Sequence, residues 1–250
     1  MKSGEKIRAK AVELLSSVPD GIRYSELARR IHLELPDIHS RSIPGFIWDL
    51  DVKRPKEVYK PERGIFRHTK FKHDEAKENI LDSDIELATP SSPVKEEDFY
   101  ALFAEWIKNE LEECTKAIPL GGNKFKEKWG TPDVIGIRAS RQSDIIKLPT
   151  EIVSAEIKVD STSLITAFGQ SCAYKLFSHK SYIVIPLESA PDDLARLDSL
   201  CRIFGIGLIL FNAASDENPD FQIRVRAAKH EPDMFYVNKY MKLIENELFG

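Results

Sequence analysis

Ile152-Val-Ser-Ala-Glu-Ile-Lys-Val159 alternates along its length, and this stretch decides how the chain is read. Val153, Ala155, Ile157 and Val159 fall on one side of a strand, with Ser154, Glu156 and Lys158 on the other. The strand rise sets Glu156 and Lys158 about 7 Å apart on one face. Upstream, Trp129-Gly-Thr-Pro-Asp-Val-Ile-Gly-Ile137 reads as a turn entering an apolar strand, with Asp133 at its mouth. The gap from Asp133 to Glu156 is 23 residues, and the polar stretch Ala139–Pro149 absorbs it as a loop between two antiparallel strands. Two carboxylates offer the hard oxygen donors that Mg²⁺ takes. A neighbouring ammonium can orient or deprotonate a water and neutralise phosphate charge.

The order Pro132-Asp133 followed by Glu156-Ile157-Lys158 resembles the PD-(D/E)xK nuclease superfamily, which includes many restriction endonucleases. The resemblance covers roughly residues 95–230. The motif is short, and the elements around it carry its specificity; the plain alternative is a solvated Glu/Lys pair on an edge strand. The resemblance implies a Mg²⁺ site, with Mn²⁺ as a substitute, held by Asp133 and Glu156, with Lys158 catalytic. Family members often carry a glutamate on the helix before the core sheet. Here that helix is Glu97–Leu111, whose residues Phe99, Leu102, Phe103, Trp106 and Leu111 form an apolar stripe. Glu105 borders the stripe and is the expected third acid, with Asp98, Glu110 and Glu112 as competitors.

Ser163–Phe177 reads as a helix after the Glu-x-Lys strand, with Gln170 and Tyr174 on one face at i, i+4. Some branches of the superfamily, notably the exonuclease domains of recombination helicases, carry Gln-x-x-x-Tyr on this helix. The resemblance assigns Gln170 a place in the catalytic group and Tyr174 a contact to DNA. The plain alternative is an amphipathic helix with a half-buried tyrosine.

The chain has 250 residues and a formal net charge of −4, which by itself argues against a nucleic-acid partner. The distribution reverses that argument. Residues 1–70 carry 15 Lys+Arg against 10 Asp+Glu, residues 71–100 carry 3 against 9, and the remainder 18 against 21. Cys114, Cys172 and Cys201 are widely spaced in helical patterns and predict reduced, mostly buried thiols. The six histidines show no metal-ligand spacing. No apolar run approaches the ~20 residues of a membrane span. The opening Met1-Lys-Ser-Gly-Glu-Lys-Ile-Arg8 lacks a signal-peptide core, so a cytoplasmic protein without a membrane partner is expected.

Residues 1–70 read as a winged helix-turn-helix domain. Helices are expected at about 5–17, at Tyr24–Leu33 with Ser25 as N-cap, and at Ser42–Leu50 with Pro44 in the first turn. Extended runs Glu57–Lys60 and Gly64–Arg67 follow, joined through Pro61–Gly64 as a hairpin. The unit resembles the winged-helix modules fused to restriction-type nucleases; a small helical protein-interaction module is the alternative. In such a module the reading helix enters the major groove near its N-terminus. Ser40, Arg41 and Ser42 would then meet base edges, with Arg41 best suited to guanine. Lys53, Arg54, Lys60 and Arg63 would meet phosphates. Phe46, Trp48 and Leu50 read as core.

Residues 71–94 read as a linker, and residues 95–250 as the nuclease domain. Strands are expected at Ser181–Pro186, Ile206–Phe211 and Phe221–Arg226, helices at Asp192–Phe204 and Asp233–Phe249. The order α-β-β-β-α-β-α-β predicts an α/β fold, a mixed sheet of restriction-endonuclease type flanked by helices. Gly121-Gly122-Asn-Lys-Phe-Lys-Glu-Lys128 lacks the ending of a phosphate loop and reads as a basic, flexible approach to Asp133. Lys124, Lys126 and Lys128 there would hold a DNA backbone.

The leading expectation is a Mg²⁺-dependent endonuclease acting on double-stranded DNA. A homodimer is expected because one site per chain cuts one strand. The alternatives are a DNA-binding transcriptional regulator on an inactive nuclease scaffold and a repair-type exonuclease.

Overall fold

In the computed structural model, described at residues 3–72, 95–141 and 144–250, the chain divides into two compact units. The first is Met1–Leu87 with Asn109–Glu112, and the second Ala88–Lys108 with Glu113–Gly250. Most of the expected linker, residues 73–94, lies outside the described residues.

The first unit runs α1 (Ser3–Ser16), β1 (Ile22–Arg23), α2 (Tyr24–Glu34), a 3-10 turn at Ser40–Ser42, α3 (Pro44–Ile47), α4 (Leu50–Lys53), β2 (Val58–Tyr59) and β3 (Ile65–His68). Ile7, Ala11 and Leu15 recur at helical spacing on α1 and are fully buried against Leu27 and Ile31 of α2. β3 pairs antiparallel with both β1 and β2.

Three sequence expectations fail here. The single helix expected over 42–50 is a 3-10 turn and two short helices, because Asp49 leaves helical geometry at φ −112°, ψ 27°. Segments of four residues, with Pro44 and Gly45 in one of them, cannot propagate a helix. The break leaves Trp48 44% exposed, so it is not core, whereas Ile47 and Leu50 are fully buried. Ser25 is not the N-cap of α2, a place that Arg23 takes without a side-chain bond. The Ser25 N–H instead donates to the buried Glu110 carboxylate at 3.3 Å, a favourable place for an anion.

The second unit runs α5 (Glu96–Asn109), β4 (Lys116–Pro119), β5 (Val134–Arg138), β6 (Glu151–Ile157), α6 (Leu164–Tyr174), β7 (Lys180–Pro186), α7 (Pro191–Phe204), β8 (Gly207–Phe211), β9 (Gln222–Val225), α8 (Met234–Met241) and α9 (Glu245–Leu248). This is a mixed α/β unit with one six-stranded sheet in the order β4-β5-β6-β7-β8-β9. β6, β7 and β8 are parallel, and the outer pairs are antiparallel. Parallel neighbours require crossovers, which α6 and α7 supply. β4 is too short to alternate and lies outside the strands that the pattern singles out.

Helices cover both faces. On one, Phe99 and Phe103 of α5 pack edge-on against Phe211 and Phe221 at centroid distances of 4.8 and 5.3 Å. On the other, Leu164 and Phe168 of α6 and Leu197 of α7 pack on Ile183 and Leu208. β6 is therefore buried on both sides, and the polar face inferred from its alternation is an interior one.

The closing helix expected over 233–249 breaks into α8, a 3-10 turn at Lys242–Ile244, and α9. The segment 121–128 is tied down. Phe125 is 2% exposed, stacked on Tyr240 at 4.8 Å and edge-on to Phe177 at 5.6 Å. Cys114 and Cys201 are buried free thiols and Cys172 is half-buried, with Cys114 outside any helix.

Candidate active site

Asp133 immediately precedes β5, and its N–H donates to the Ala155 carbonyl at 3.0 Å. Val134 pairs with Ala155, so the antiparallel register sets Asp133 across from Glu156. The 23-residue gap closes as a hairpin-type connection, as the alternation predicts. Asp133 Oδ2 accepts the Ile157 N–H at 2.7 Å, which pins its carboxylate to the end of β6. Glu156 Oε2 accepts the Tyr174 hydroxyl at 2.7 Å, and its Oε1 lies 3.2 Å from Lys158 Nζ. Lys158 follows the last residue of β6, held there by its N–H donating to the Val184 carbonyl at 2.9 Å. Asp133, Glu156 and Lys158 thus converge at the carboxyl end of β6.

Gln170 is half-buried, and its side chain hydrogen-bonds the Tyr174 hydroxyl. Tyr174 is fully buried and also reaches the Thr131 carbonyl at 3.2 Å. That burial speaks against a direct DNA contact by Tyr174; its hydroxyl serves Glu156. Gly130, at φ +85°, makes room for this pair. A Cβ there would stand 3.2 Å from the Tyr174 hydroxyl and 3.4 Å from Gln170 Nε2.

Helix α5 brings a different acid from the one expected. Glu96 Oε2 lies 2.9 Å from Lys158 Nζ. One turn on, the Tyr100 hydroxyl hydrogen-bonds Asp133. Spacing i, i+4 gives both the same side of the helix. Glu105 lies nine residues beyond Glu96, two and a half turns and about 13 Å along the axis, so it leaves the opposite side. It is 55% exposed and 3.6 Å from Lys108. The apolar stripe misleads because it marks the helix face toward Phe211 and Phe221, whereas the site lies off the end of the sheet. Glu96 is legible only as one of three acids in the first turn, where the helix dipole favours them anyway. Tyr100 carries no sequence signal, although Gly121 at φ +59° admits its ring. A Cβ at Gly121 would meet Tyr100 Cε2 at 2.7 Å.

Burial pushes Glu156 up to about 7, reinforced by the Asp133 charge. Burial also raises Asp133, opposed by the Ile157 N–H, the Tyr100 hydroxyl and Lys158. Lys158 is pulled down by burial, but its bond to Glu96 and the charge of Glu156 prevail and hold it above its ordinary value. Lys158 is therefore a committed cation, suited to orient a water or screen a phosphate and unsuited to remove a proton. Two buried carboxylates raised toward neutrality form a donor set that a hard divalent cation would relieve. Among the described residues no group of three or more His, Cys, Asp and Glu side chains is arranged to hold a metal ion. Two carboxylates with phosphate and water oxygens are a usual complement for Mg²⁺.

In the first unit, Ser40, Arg41 and Ser42 are all exposed on the 3-10 turn. Arg54 pairs with Glu5 and with Glu57, and Lys60 with Glu112 at 2.6 Å, so these two charges are compensated within the unit. Lys53 is 4.0 Å from Asp49, and Arg63 is exposed with a long contact of 3.5 Å to the Leu111 carbonyl. In the second unit Lys124 pairs with Glu247 at 2.5 Å, while Lys126 is exposed. Among the described residues no helix is long and apolar enough to cross a membrane. Comparison of the chain with family models, with curated proteins and with solved structures gives no match.

Proposed function

We propose that the chain is a Mg²⁺-dependent endonuclease of the PD-(D/E)xK type that hydrolyses phosphodiester bonds of duplex DNA. The observation that carries this reading is the register pairing of Asp133 with Glu156 beside Lys158, at the carboxyl end of a parallel strand flanked by helices. That end of an open α/β sheet is where ligands bind. The mixed sheet with a helix before it supports a restriction-endonuclease-like core. Helical segments followed by an antiparallel hairpin support a winged helix in the first unit, with Arg41 on the exposed turn facing bases.

Asp133 and Glu156 would hold the ion. Bound Mg²⁺, or Mn²⁺ in its place, supplies Lewis-acid stabilisation of the charge that develops on the phosphate. Lys158 orients the attacking water and screens phosphate charge, and Glu96 keeps Lys158 in place. Tyr174 and Tyr100 each donate to one carboxylate and fix its rotamer. The Gln170 amide, exposed enough to reach solvent, bonds the water or a phosphate oxygen. A cut through both strands calls for two such sites, hence a homodimer. Gln170 beside the site also favours a second reading, a repair-type exonuclease, which closed circular DNA would exclude by being cut.

The test is cleavage of mixed duplex DNA with and without Mg²⁺. The wild type cuts only with the ion, and Asp133→Ala and Lys158→Ala bind DNA without cutting it. Variants that cut as the wild type does would remove the assignment. Intact DNA together with a gel shift would favour a DNA-binding regulator.

A further inference from the structure

Trp129 is 70% exposed, an unusual place for the largest apolar side chain. It does not sit on a slack loop. Phe125 is buried among Tyr240 and Phe177, and its N–H donates to the buried Thr131 Oγ1 at 3.0 Å, which closes the loop at its base. Glu127 is held by Lys239 and by the Tyr240 hydroxyl, so its charge is neutralised and drawn toward α8. Gly130 N–H returns to the Glu127 carbonyl at 3.4 Å. The loop is thus tied at both ends and once between, and it keeps Trp129 in water.

The position of the loop gives this exposure a use. Gly130 abuts the Tyr174 hydroxyl and Gln170. Consecutive Cα atoms are 3.8 Å apart, which sets the Trp129 Cα within about 9 Å of that hydroxyl. The hydroxyl in turn donates to Glu156. Lys126 and Lys128 precede Trp129 on the same loop, both exposed and in no ion pair among the described residues. An exposed aromatic on the same loop as exposed cations is the chemistry of a single-stranded nucleic-acid platform, where bases stack and the backbone is screened. A paired base inside a duplex has both faces covered by its neighbours and cannot stack there.

We infer that Trp129, with Lys126 and Lys128, is a subsite that stacks one unpaired base next to the scissile phosphate. The site therefore prefers DNA with a frayed, flipped or single-stranded nucleotide at the cut. This inference rests on the nuclease reading and sharpens its substrate class.

The experiment measures binding of the full chain to a blunt duplex and to the same duplex with a short single-stranded tail, with Ca²⁺ in place of Mg²⁺. The tail tightens wild-type binding and quenches tryptophan fluorescence, and Trp129→Phe lacks that part of the quench. Trp129→Ala binds the tailed duplex about 5- to 150-fold more weakly, the loss expected for one stacked base, and Trp129→Phe restores most of it. Blunt-duplex binding changes little in either variant. A wild type that does not distinguish the two duplexes overturns the inference, as does a Trp129→Ala that matches wild type on the tailed one. If blunt DNA is still cut with Mg²⁺ in those cases, the nuclease reading stands and only the stacking subsite falls. If no DNA is bound or cut, both fall.

Discussion

The two ends of the central sheet hold charge in different balance. At the start of β6 and β7, Glu113 lies 2.6 Å from Lys180 and 3.2 Å from Arg226, and Glu151 lies 3.1 Å from Lys229. With Glu231 at 3.8 Å from Lys229, three acids there meet three cations. At the other end of β6, about 20 Å away by strand rise, Asp133, Glu156 and Glu96 share one cation, Lys158, among the described residues. The first cluster is complete and can do no more than hold the sheet together. The second is short of positive charge, and burial, reinforced by the Asp133 charge, lifts Glu156 to about 7. A buried deficit of this kind is what the proposed Mg²⁺ would relieve. Both clusters pair carboxylates with basic side chains, and β6 contributes to each, so composition does not separate them.

That contrast can be broken most sharply at Asp133. Asp133→Asn preserves shape and removes one charge, and cleavage should fall by about 10³-fold or more with little change in stability. A loss no larger than that from a change at Glu113 would erase the distinction between the ends. Next in size, Glu113→Gln should destabilise the second unit by roughly 3 kcal/mol, because Lys180 loses its nearest partner. Denaturant unfolding reads this as a lower midpoint. An unchanged midpoint would mean that the matched cluster contributes nothing.

The third effect has the opposite sign. Glu156 titrates at about 7 against an ordinary 4.5, so between those values the folded chain holds a proton that the unfolded chain has released. The stability this gives is complete below about 4.5 and is lost as pH rises through 7. Metal-free Glu156→Gln lacks that loss and should exceed the wild type at pH 8 by about 1–3 kcal/mol, with the gap closing toward pH 5. Adding Mg²⁺ should raise the melting temperature of the wild type and leave the variant unmoved. A wild type more stable than the variant at pH 8 without metal would contradict the charge deficit. Smallest of all, Glu105→Gln should leave cleavage unchanged while Glu96→Gln lowers it. The reverse order would return the third acid to Glu105.

Much of the site is legible without coordinates. Strand alternation places Glu156 and Lys158 together, and the polar stretch 139–149 forces β5 and β6 antiparallel, which brings Asp133 across from Glu156. The i, i+4 spacing of Gln170 and Tyr174 holds because α6 is one uninterrupted helix. The errors share a cause. Glu105 is chosen because it borders an apolar stripe, but a stripe reports which side of a helix is buried and not what lies beyond the helix end. Trp48 and Ser25 are misassigned because short segments near proline and glycine break where neighbouring side chains dictate. Trp129 passes unnoticed because a sequence does not say which tryptophan stays in water.

Periodicity and spacing alone suffice for five of the six strands of the central sheet, the longer helices and the pairing of one aspartate with one glutamate, since these depend on neighbours within one or two elements. Which acid and which phenol of α5 reach the site, how many cations face each buried carboxylate, and that Trp129 stands exposed on a pinned loop all depend on contacts between elements distant along the chain. Those contacts exist only once the sheet has closed, and the charge deficit at its carboxyl end arises from them.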